Sequence, residues 1–319
     1  MGYILWGYKG SGDHGWEDWL RGLCRLLPQK PDVYSQCPQE DLKYGLGELC
    51  GLFSTQDAPC GLRPGDWWVD VAPRDRPKGL GKGVNRMLFG WWGDIPTGQT
   101  VRQLRRYDAV VVTERRSLGR LKHAGLGDRL QLRPEPGFLV APAQRAAAIP
   151  IPPNTLGLSL SYPPEAQPVL YESYCRLIEW ILRETEYSIA LIPFCVRQGE
   201  NDLLLQQVLY RRFRTSGRVY LRKDGSSPLL KGDLAQCRCC IGFWGAVAAW
   251  SCGVPALCLL GAEKALGLSH DIWGSSYESV CPWQTLQDEN TLTHRFIRFL
   301  ETQQENQTRL HRYQAVGIF

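Results

Sequence analysis

Residues 3–27 read YILWGYKGSGDHGWEDWLRGLCRLL, which is a short apolar run, a glycine-rich loop and then apolar residues at helical spacing. The run at residues 3–6 predicts a buried strand, and Trp16, Trp19 and Leu23 recur on one face of a helix. A strand that leads through a glycine loop into a helix is the first unit of a parallel α/β sheet. This opening stretch therefore predicts an α/β fold.

The same alternation of short apolar strands and helices continues along the chain. Uninterrupted apolar runs, such as residues 109–112, are typical of a sheet that is covered on both faces. A proline-rich segment at residues 141–153 predicts an interdomain linker, and the alternation restarts at residue 156. We therefore predict two Rossmann-like, doubly wound domains that face a cleft, in a GT-B-like architecture. Residues 1–145 form the expected acceptor side, and residues 146–319 form the expected donor side with a long closing helix at residues 286–312.

Composition excludes several classes of protein. The chain has 319 residues, with 37 Lys and Arg against 32 Asp and Glu and a formal net charge of +5, too mild to indicate a nucleic-acid partner. No run of about 18 apolar residues and no secretory leader is visible, so we expect a cytoplasmic protein with at most peripheral membrane contact. The 12 cysteines include no Cys-x-x-Cys pair. We therefore expect buried thiols, with no metal site, disulfide framework or bound cofactor.

The glycine loop after the first strand is one candidate binding site. Gly10, Gly12 and Gly15 have the Gly-x-Gly-x-x-Gly spacing, which lets backbone N–H groups approach an anion at a helix N-terminus. This spacing leaves open a dinucleotide, another ligand or a plain tight turn. Asp13 has the alternative role of capping the helix. Three titratable residues of the loop and the first helical turn are candidates for acid–base catalysis: Asp13, His14 and Glu17.

A second candidate site lies at residues 242–255, which read GFWGAVAAWSCGVP. A strand is expected to end at Gly242, and a helix of small residues follows until Gly253 stops it. The N-terminus of such a helix attracts a phosphate or carboxylate. We therefore predict that Gly242, Trp244 and Gly245 bind the donor.

Over most of its length the chain resembles the polysaccharide pyruvyl transferase family. Members begin with a strand and a Gly-Tyr-Tyr-Gly-x-Gly-Asn-x-Gly-Asp-Glu loop, and residues 7–17 here read Gly-Tyr-Lys-Gly-Ser-Gly-Asp-His-Gly-Trp-Glu. Further segments are similar to family motifs in the same order: residues 90–96 to Gly-x-Gly-x-Gly-Pro, 113–117 to Arg-Glu-x-x-Ser, 135–138 to Asp-Pro-x-Phe, 192–202 to Ile-Pro…Asp-Asp, and 242–264 to the final signature with Gly-Val-Pro and a lysine.

The resemblance implies a transferase of cell-envelope glycan biosynthesis, which moves a group from phosphoenolpyruvate to a sugar hydroxyl. It implies that Glu114 is catalytic and that Lys264 binds the anionic donor. However, Gly242 and Trp244 stand where the final signature of the family has Arg and His. Three hypotheses therefore remain open: a transferase of this family with a rearranged site, a GT-B glycosyltransferase that uses a nucleotide sugar, and an inactive homologue that binds a glycan or a protein. In the first two, the partners are an anionic donor and a glycan acceptor.

Overall fold

The computed structural model describes residues 1–8, 10–57, 62–72, 80–91, 95–145, 150–161, 167–197, 199–259, 263–274, 279–282, 288 and 290–316. Within these residues the chain divides into two compact units. The first unit contains Met1–Ser11 and Trp16–Leu139. The second unit contains Val140–Val316 together with the short segment Gly12–Gly15 from the glycine loop.

The first unit contains a seven-stranded parallel sheet in the order β3-β2-β1-β4-β5-β6-β7. The strand order reverses between β1 and β4, as in a Rossmann-like sheet. Its strands are β1 (Tyr3–Tyr8), β2 (Asp32–Ser35), β3 (Gly51–Ser54), β4 (Trp67–Asp70), β5 (Asn85–Phe89), β6 (Ala109–Val112) and β7 (Leu130–Leu132). Its helices are α1 (His14–Leu26, whose first two residues belong to the second unit), α2 (Pro38–Lys43), α3 (Gly98–Leu104) and α4 (Arg115–His123).

The interior of the first unit contains a buried ion pair between Asp70 and Arg86. Asp70 is fully buried at the end of β4, where it accepts hydrogen bonds from Arg86 Nη2 at 2.9 Å and from the Tyr107 hydroxyl at 2.9 Å. The indole N–H of Trp68 donates to its other oxygen at 3.0 Å. Arg86 also lies over the Tyr107 ring, 4.2 Å from the ring centroid. A buried carboxylate is tolerated here because its partners meet it with charge and hydrogen bonds.

The second unit contains a five-stranded parallel sheet in the order β12-β9-β8-β13-β14 and a short antiparallel pair, β10-β11. Its strands are β8 (Thr155–Ser159), β9 (Ser188–Leu191), β10 (Val196–Arg197), β11 (Glu200–Asn201), β12 (Val219–Leu221), β13 (Cys239–Gly242) and β14 (Ala256–Cys258). Its helices are α5 (Gln167–Glu184), α6 (Asp202–Phe213), α7 (Ser227–Leu234), α8 (Trp244–Ser251), α9 (Glu263–Trp273), α10 (Thr291–Glu301) and α11 (Gln303–Val316).

The prediction of a single long helix at residues 286–312 is wrong, because two helices, α10 and α11, lie in this region. They meet at Thr302, whose hydroxyl donates to the carbonyl of Phe299 at 3.2 Å and accepts from Asn306 Nδ2 at 3.0 Å. A threonine hydroxyl that bonds nearby helical groups competes with the regular helical hydrogen bonds. Of the expected helix, residues 286, 287 and 289 lie outside the described residues.

The cysteines are mostly buried, as the sequence predicts. In the part of the chain that the structure describes, eleven cysteines are free thiols, of which only Cys37 is exposed. Cys60 lies outside the described residues. Among the described residues, no group of histidine, cysteine, aspartate and glutamate side chains is arranged to hold a metal ion. In the same residues no helix is both long and apolar enough to cross a membrane.

Candidate functional site

The strand order of the second unit identifies where a ligand is expected. The order reverses between the adjacent strands β8 and β13, and parallel sheets of this type bind ligands at the carboxyl ends of their strands at such a point. There β8 ends at Ser159 and β13 ends at Gly242, and these two residues are paired in register. The site is therefore built outward from Ser159 and Gly242.

Two glycines allow helix α8 to begin against the end of β8. A Cβ atom at Gly242 would lie closer than 3.0 Å to the backbone oxygen of Ser159, and one at Gly245 would overlap the Ser159 side chain. Phe243, at the N-cap position, has a hydrocarbon side chain that cannot accept hydrogen bonds from the first turn of α8. The N–H of Ala246 donates to the Phe243 carbonyl at 3.1 Å, whereas the N–H groups of Trp244 and Gly245 have no backbone partner among the described residues and are left for another acceptor.

The Ser159 hydroxyl lies under this first turn. The residue is 1% exposed, and its Oγ has no hydrogen-bond partner among the described residues. A buried hydroxyl without a partner costs about 1–3 kcal/mol, so a ligand oxygen that accepted its hydrogen would stabilise the site. The hydroxyl and the helix N-terminus together suit an anionic oxygen.

The segment Gly12–Gly15 is held beside this turn by backbone pairing. The N–H of His14 donates to the carbonyl of Phe194 at 3.0 Å, and the N–H of Val196 donates to the carbonyl of Gly12 at 2.6 Å. Gly12 has φ +75°, and a Cβ atom there would lie 3.1 Å from a backbone nitrogen of the facing segment. A Cβ at Gly15 would lie 3.1 Å from Cβ and Cγ of Trp244, the first residue of α8. Close packing therefore favours glycine at both loop positions.

A buried carboxylate fixes the segment that carries this pairing. Asp202 accepts hydrogen bonds from the N–H groups of Phe194 and Cys195, at 3.1 and 2.8 Å, and from the Ser161 hydroxyl at 2.6 Å. Burial raises the pKa of Asp202 to about 7 against the lowering effect of these three donors, and the charge of Asp13 raises it further. Burial, and then Asp13, also raise the pKa of the Cys195 thiol to about 12. That thiol is neutral at pH 7 and is a poor nucleophile.

His14 forms a dyad with Asp224, which follows β12. The His14 ring is fully buried and packs edge-on against Phe194, with 6.2 Å between ring centroids. Its Nε2 lies 2.8 Å from Oδ1 of Asp224, whose side chain is 30% exposed. The carboxylate, rather than the imidazole, is the accessible member of this pair.

The structure accounts for the other predicted residues in different ways. Asp13 accepts from the N–H of Gly15 at 3.0 Å, as a helix cap does, and it also lies in the second unit. Glu17 lies in the first unit and pairs with Arg21 at 2.7 Å. Glu114, also in the first unit, caps α4 through the N–H of Ser117, at 3.0 and 2.8 Å.

The remaining predicted donor-binding residues are Gly10 and Lys264. Gly10 belongs to the first unit, where a Cβ atom would overlap the ring and hydroxyl of Tyr8. Lys264 lies in the first turn of α9 and is 9% exposed. In the turn predicted at residues 90–96, residues 92–94 lie outside the described residues.

The structure thus brings seven predicted site residues together in the second unit, and it adds others. The gathered residues are Gly12, Asp13, His14, Gly15, Gly242, Trp244 and Gly245. The sequence prediction missed Ser159 and Asp224 as site residues. Both lie at or just after the carboxyl end of a short apolar strand, which is the position that signals a ligand contact in a parallel sheet.

Comparisons with known proteins support the fold. No family model matches the chain, and no curated protein matches its sequence. A solved UDP-GlcNAc 2-epimerase from Neisseria meningitidis, bound to UDP-GlcNAc, is similar with a TM-score of 0.59 and 8% identity, over 97% of this chain and 94% of that one. Anabaena Alr3699/HepE in complex with UDP and glucose gives a TM-score of 0.53 and 13% identity, over 99% of this chain and 94% of that one. MurG of Acinetobacter baumannii gives a TM-score of 0.52 and 12% identity, over 98% of this chain and 95% of that one. The chain therefore has an α/β fold of the GT-B type, with two Rossmann-like units.

Proposed function

We propose that this chain is a GT-B glycosyltransferase that binds the diphosphate of a nucleotide sugar at the switch point of its second unit. The observation that carries the proposal is the unpartnered, buried hydroxyl of Ser159 under the first turn of α8, which has no side-chain cap at Phe243. A diphosphate offers several anionic oxygens, which accept hydrogen bonds both from a hydroxyl and from helix N–H groups. UDP and UDP-GlcNAc, which the structurally similar proteins bind, contain this group.

The same arrangement suits the chemistry of glycosyl transfer. A bond forms between an acceptor oxygen and the anomeric carbon, while the bond from that carbon to the diphosphate oxygen breaks. The acceptor proton passes to a general base, and the leaving diphosphate gains negative charge. N–H groups that are already oriented toward the diphosphate stabilise that charge as it develops. We assign the glycan acceptor to the first unit, and the transfer to cell-envelope glycan biosynthesis.

Pyruvyl transfer from phosphoenolpyruvate is the second candidate. It rests on the resemblance of the glycine loop and of residues 242–264 to the pyruvyl transferase family. The first turn of α8 suits a single phosphate as well as a diphosphate. Under this hypothesis Lys264 holds the carboxylate of the donor.

Ligand titration separates these candidates. The full chain is titrated with UDP, UDP-glucose, UDP-N-acetylglucosamine and phosphoenolpyruvate, with heat and melting temperature as the readouts. We expect a response to the uridine nucleotides and none to phosphoenolpyruvate. A response to phosphoenolpyruvate alone would favour pyruvyl transfer, and no response to any of the four would favour a homologue that binds only a glycan or a protein.

A pair of serine variants tests the place of binding. Ser159→Ala removes the unpartnered hydroxyl, and we expect UDP affinity to fall about 10- to 150-fold, as loss of one hydrogen bond to an anionic oxygen implies. The ligand-free variant is expected to be no less stable than the wild type, because its lost hydroxyl has no partner among the described residues. Ser251→Ala is the matched control, since its hydroxyl bonds the Ala248 carbonyl at the other end of α8. Equal UDP affinity in both variants contradicts the proposed place of binding.

A further inference from the structure

The carboxylate of the His14–Asp224 dyad is half-buried and remains accessible to solvent. An ionised carboxylate has only acceptors, so the ring nitrogen 2.8 Å away carries the hydrogen between them. Because the His14 ring is fully buried, His14 acts on a bound ligand by way of Asp224. The histidine therefore orients the carboxylate.

The backbone around Asp224 is also held in place, by hydrogen bonds from Arg145. Arg145 donates to the carbonyl of Asp224 at 3.1 Å and to that of Lys223 at 2.7 Å. Arg145 is itself anchored by Asp233 at 2.9 Å, and this buried carboxylate also pairs with Arg222 at 2.7 Å. A group whose position is fixed before binding loses little conformational entropy when a ligand arrives.

The dyad shares its packing with the proposed diphosphate site. The ring of Phe194 contacts His14 on one side, and its Cδ2 lies 3.5 Å from the position of a Cβ atom on Gly245 in the first turn of α8. The next loop residue, Gly15, packs against Trp244 of the same turn. The side chains of His14 and Phe194 thus connect Asp224 with the first turn of α8.

The charge of Asp224 selects which part of a nucleotide sugar it meets. A carboxylate repels a diphosphate, whereas it accepts hydrogen bonds from hydroxyl groups. We propose that Asp224 binds hydroxyls of the donor sugar, with His14 and Arg145 as positioning residues. This inference rests on the proposed function and names the part of the ligand that Asp224 recognises.

The test compares UDP with its sugar derivatives. Asp224→Asn keeps the acceptor for His14 and removes the charge. We expect the Kd of UDP-glucose or UDP-N-acetylglucosamine to rise at least tenfold, because hydrogen bonds to charged groups are the strong ones, while the Kd of UDP stays within about twofold. Glu179→Gln is the control, since Glu179 is a surface acid of the same unit that pairs with Arg212. We expect it to bind all three nucleotides as the wild type does.

Variants of His14 provide a second, independent test of the role of Asp224. His14→Leu leaves the carboxylate but removes the ring N–H that donates to it. We expect weaker binding of the sugar nucleotides and unchanged binding of UDP. His14→Gln places an amide N–H near the former Nε2, and we expect it to restore much of the difference. A purely structural role for His14 would weaken UDP equally and would show no such rescue.

The outcomes also separate the two proposals. If the wild type binds no uridine nucleotide, the proposed function and this inference both fail. If the wild type binds UDP and a UDP-sugar while Asp224→Asn binds both unchanged, the proposed function stands and the role of Asp224 is overturned. Equal weakening of UDP and UDP-sugar in Asp224→Asn overturns it as well.

Discussion

Replacing Asp202 with asparagine tests how the loop at the candidate site is held. Asp202 accepts hydrogen bonds from Phe194 N–H, Cys195 N–H and the Ser161 hydroxyl, yet its burial raises its pKa to about 7. Three donors favour the carboxylate, and desolvation favours the neutral acid. Asparagine has nearly the same shape, accepts from both N–H groups through its oxygen, and donates to the serine. It therefore removes only the ionisation.

The expected magnitude follows from the two pKa values. In the unfolded chain an aspartate titrates near 3.9, so a folded pKa of about 7 means that the folded state holds the proton more tightly. The stability that this provides is complete below about pH 4 and is lost as the pH rises to about 7. A difference of about three pH units at about 1.4 kcal/mol each amounts to about 4 kcal/mol. Relative to the wild type, Asp202→Asn should therefore become more stable by up to this amount between pH 4 and pH 8.

Urea unfolding of both proteins at intervals between pH 4 and pH 8 measures this difference. The comparison cancels the titration of groups that the two proteins share. A difference that is constant with pH, or one that moves in favour of the wild type as the pH rises, would refute the reasoning. It would show that the three donors outweigh desolvation and that Asp202 is an ordinary ionised aspartate.

Three further substitutions test packing and capping by urea unfolding. Gly245→Ala should destabilise by about 1–3 kcal/mol, because its Cβ overlaps Ser159, and Ser159→Gly should relieve part of that cost in the double variant. Asp70→Ala should cost about 3–5 kcal/mol, because it leaves the charge of Arg86 buried; a loss below 1 kcal/mol would contradict the pairing. Glu114→Ala should cost about 0.5–2 kcal/mol if its role is the α4 cap, and an unchanged unfolding curve would argue against that role.

The sequence predicts much of the fold because the strands of a covered parallel sheet are continuous apolar runs. Strand β6, with four buried residues, is such a run. Among the strands that the sequence pattern misses are β2 and β3, which have four residues each and end in serine, so that they are hard to distinguish from loops. The break between α10 and α11 at Thr302 is equally hard to predict, because no proline or glycine marks it in the sequence.

The candidate site is less predictable because it depends on contacts between distant segments. His14 and Asp224 are 210 residues apart, and only the structure shows that the histidine is the buried partner. The glycine loop is visible as a motif, whereas the pairing of Gly12 with Val196 and the packing of Gly15 on Trp244 are tertiary features. The motif thus indicates an unusual backbone, and the packing supplies a reason for its glycines.

Hydrogen exchange at the start of α8 tests the central claim most directly. The exchange of the backbone N–H groups of Trp244 and Gly245 is measured in the full chain, with and without saturating UDP. If the diphosphate binds there, these N–H groups become protected, and the protection is weaker in Ser159→Ala at the same UDP concentration. Exchange at these residues that is unchanged by bound UDP would contradict the account.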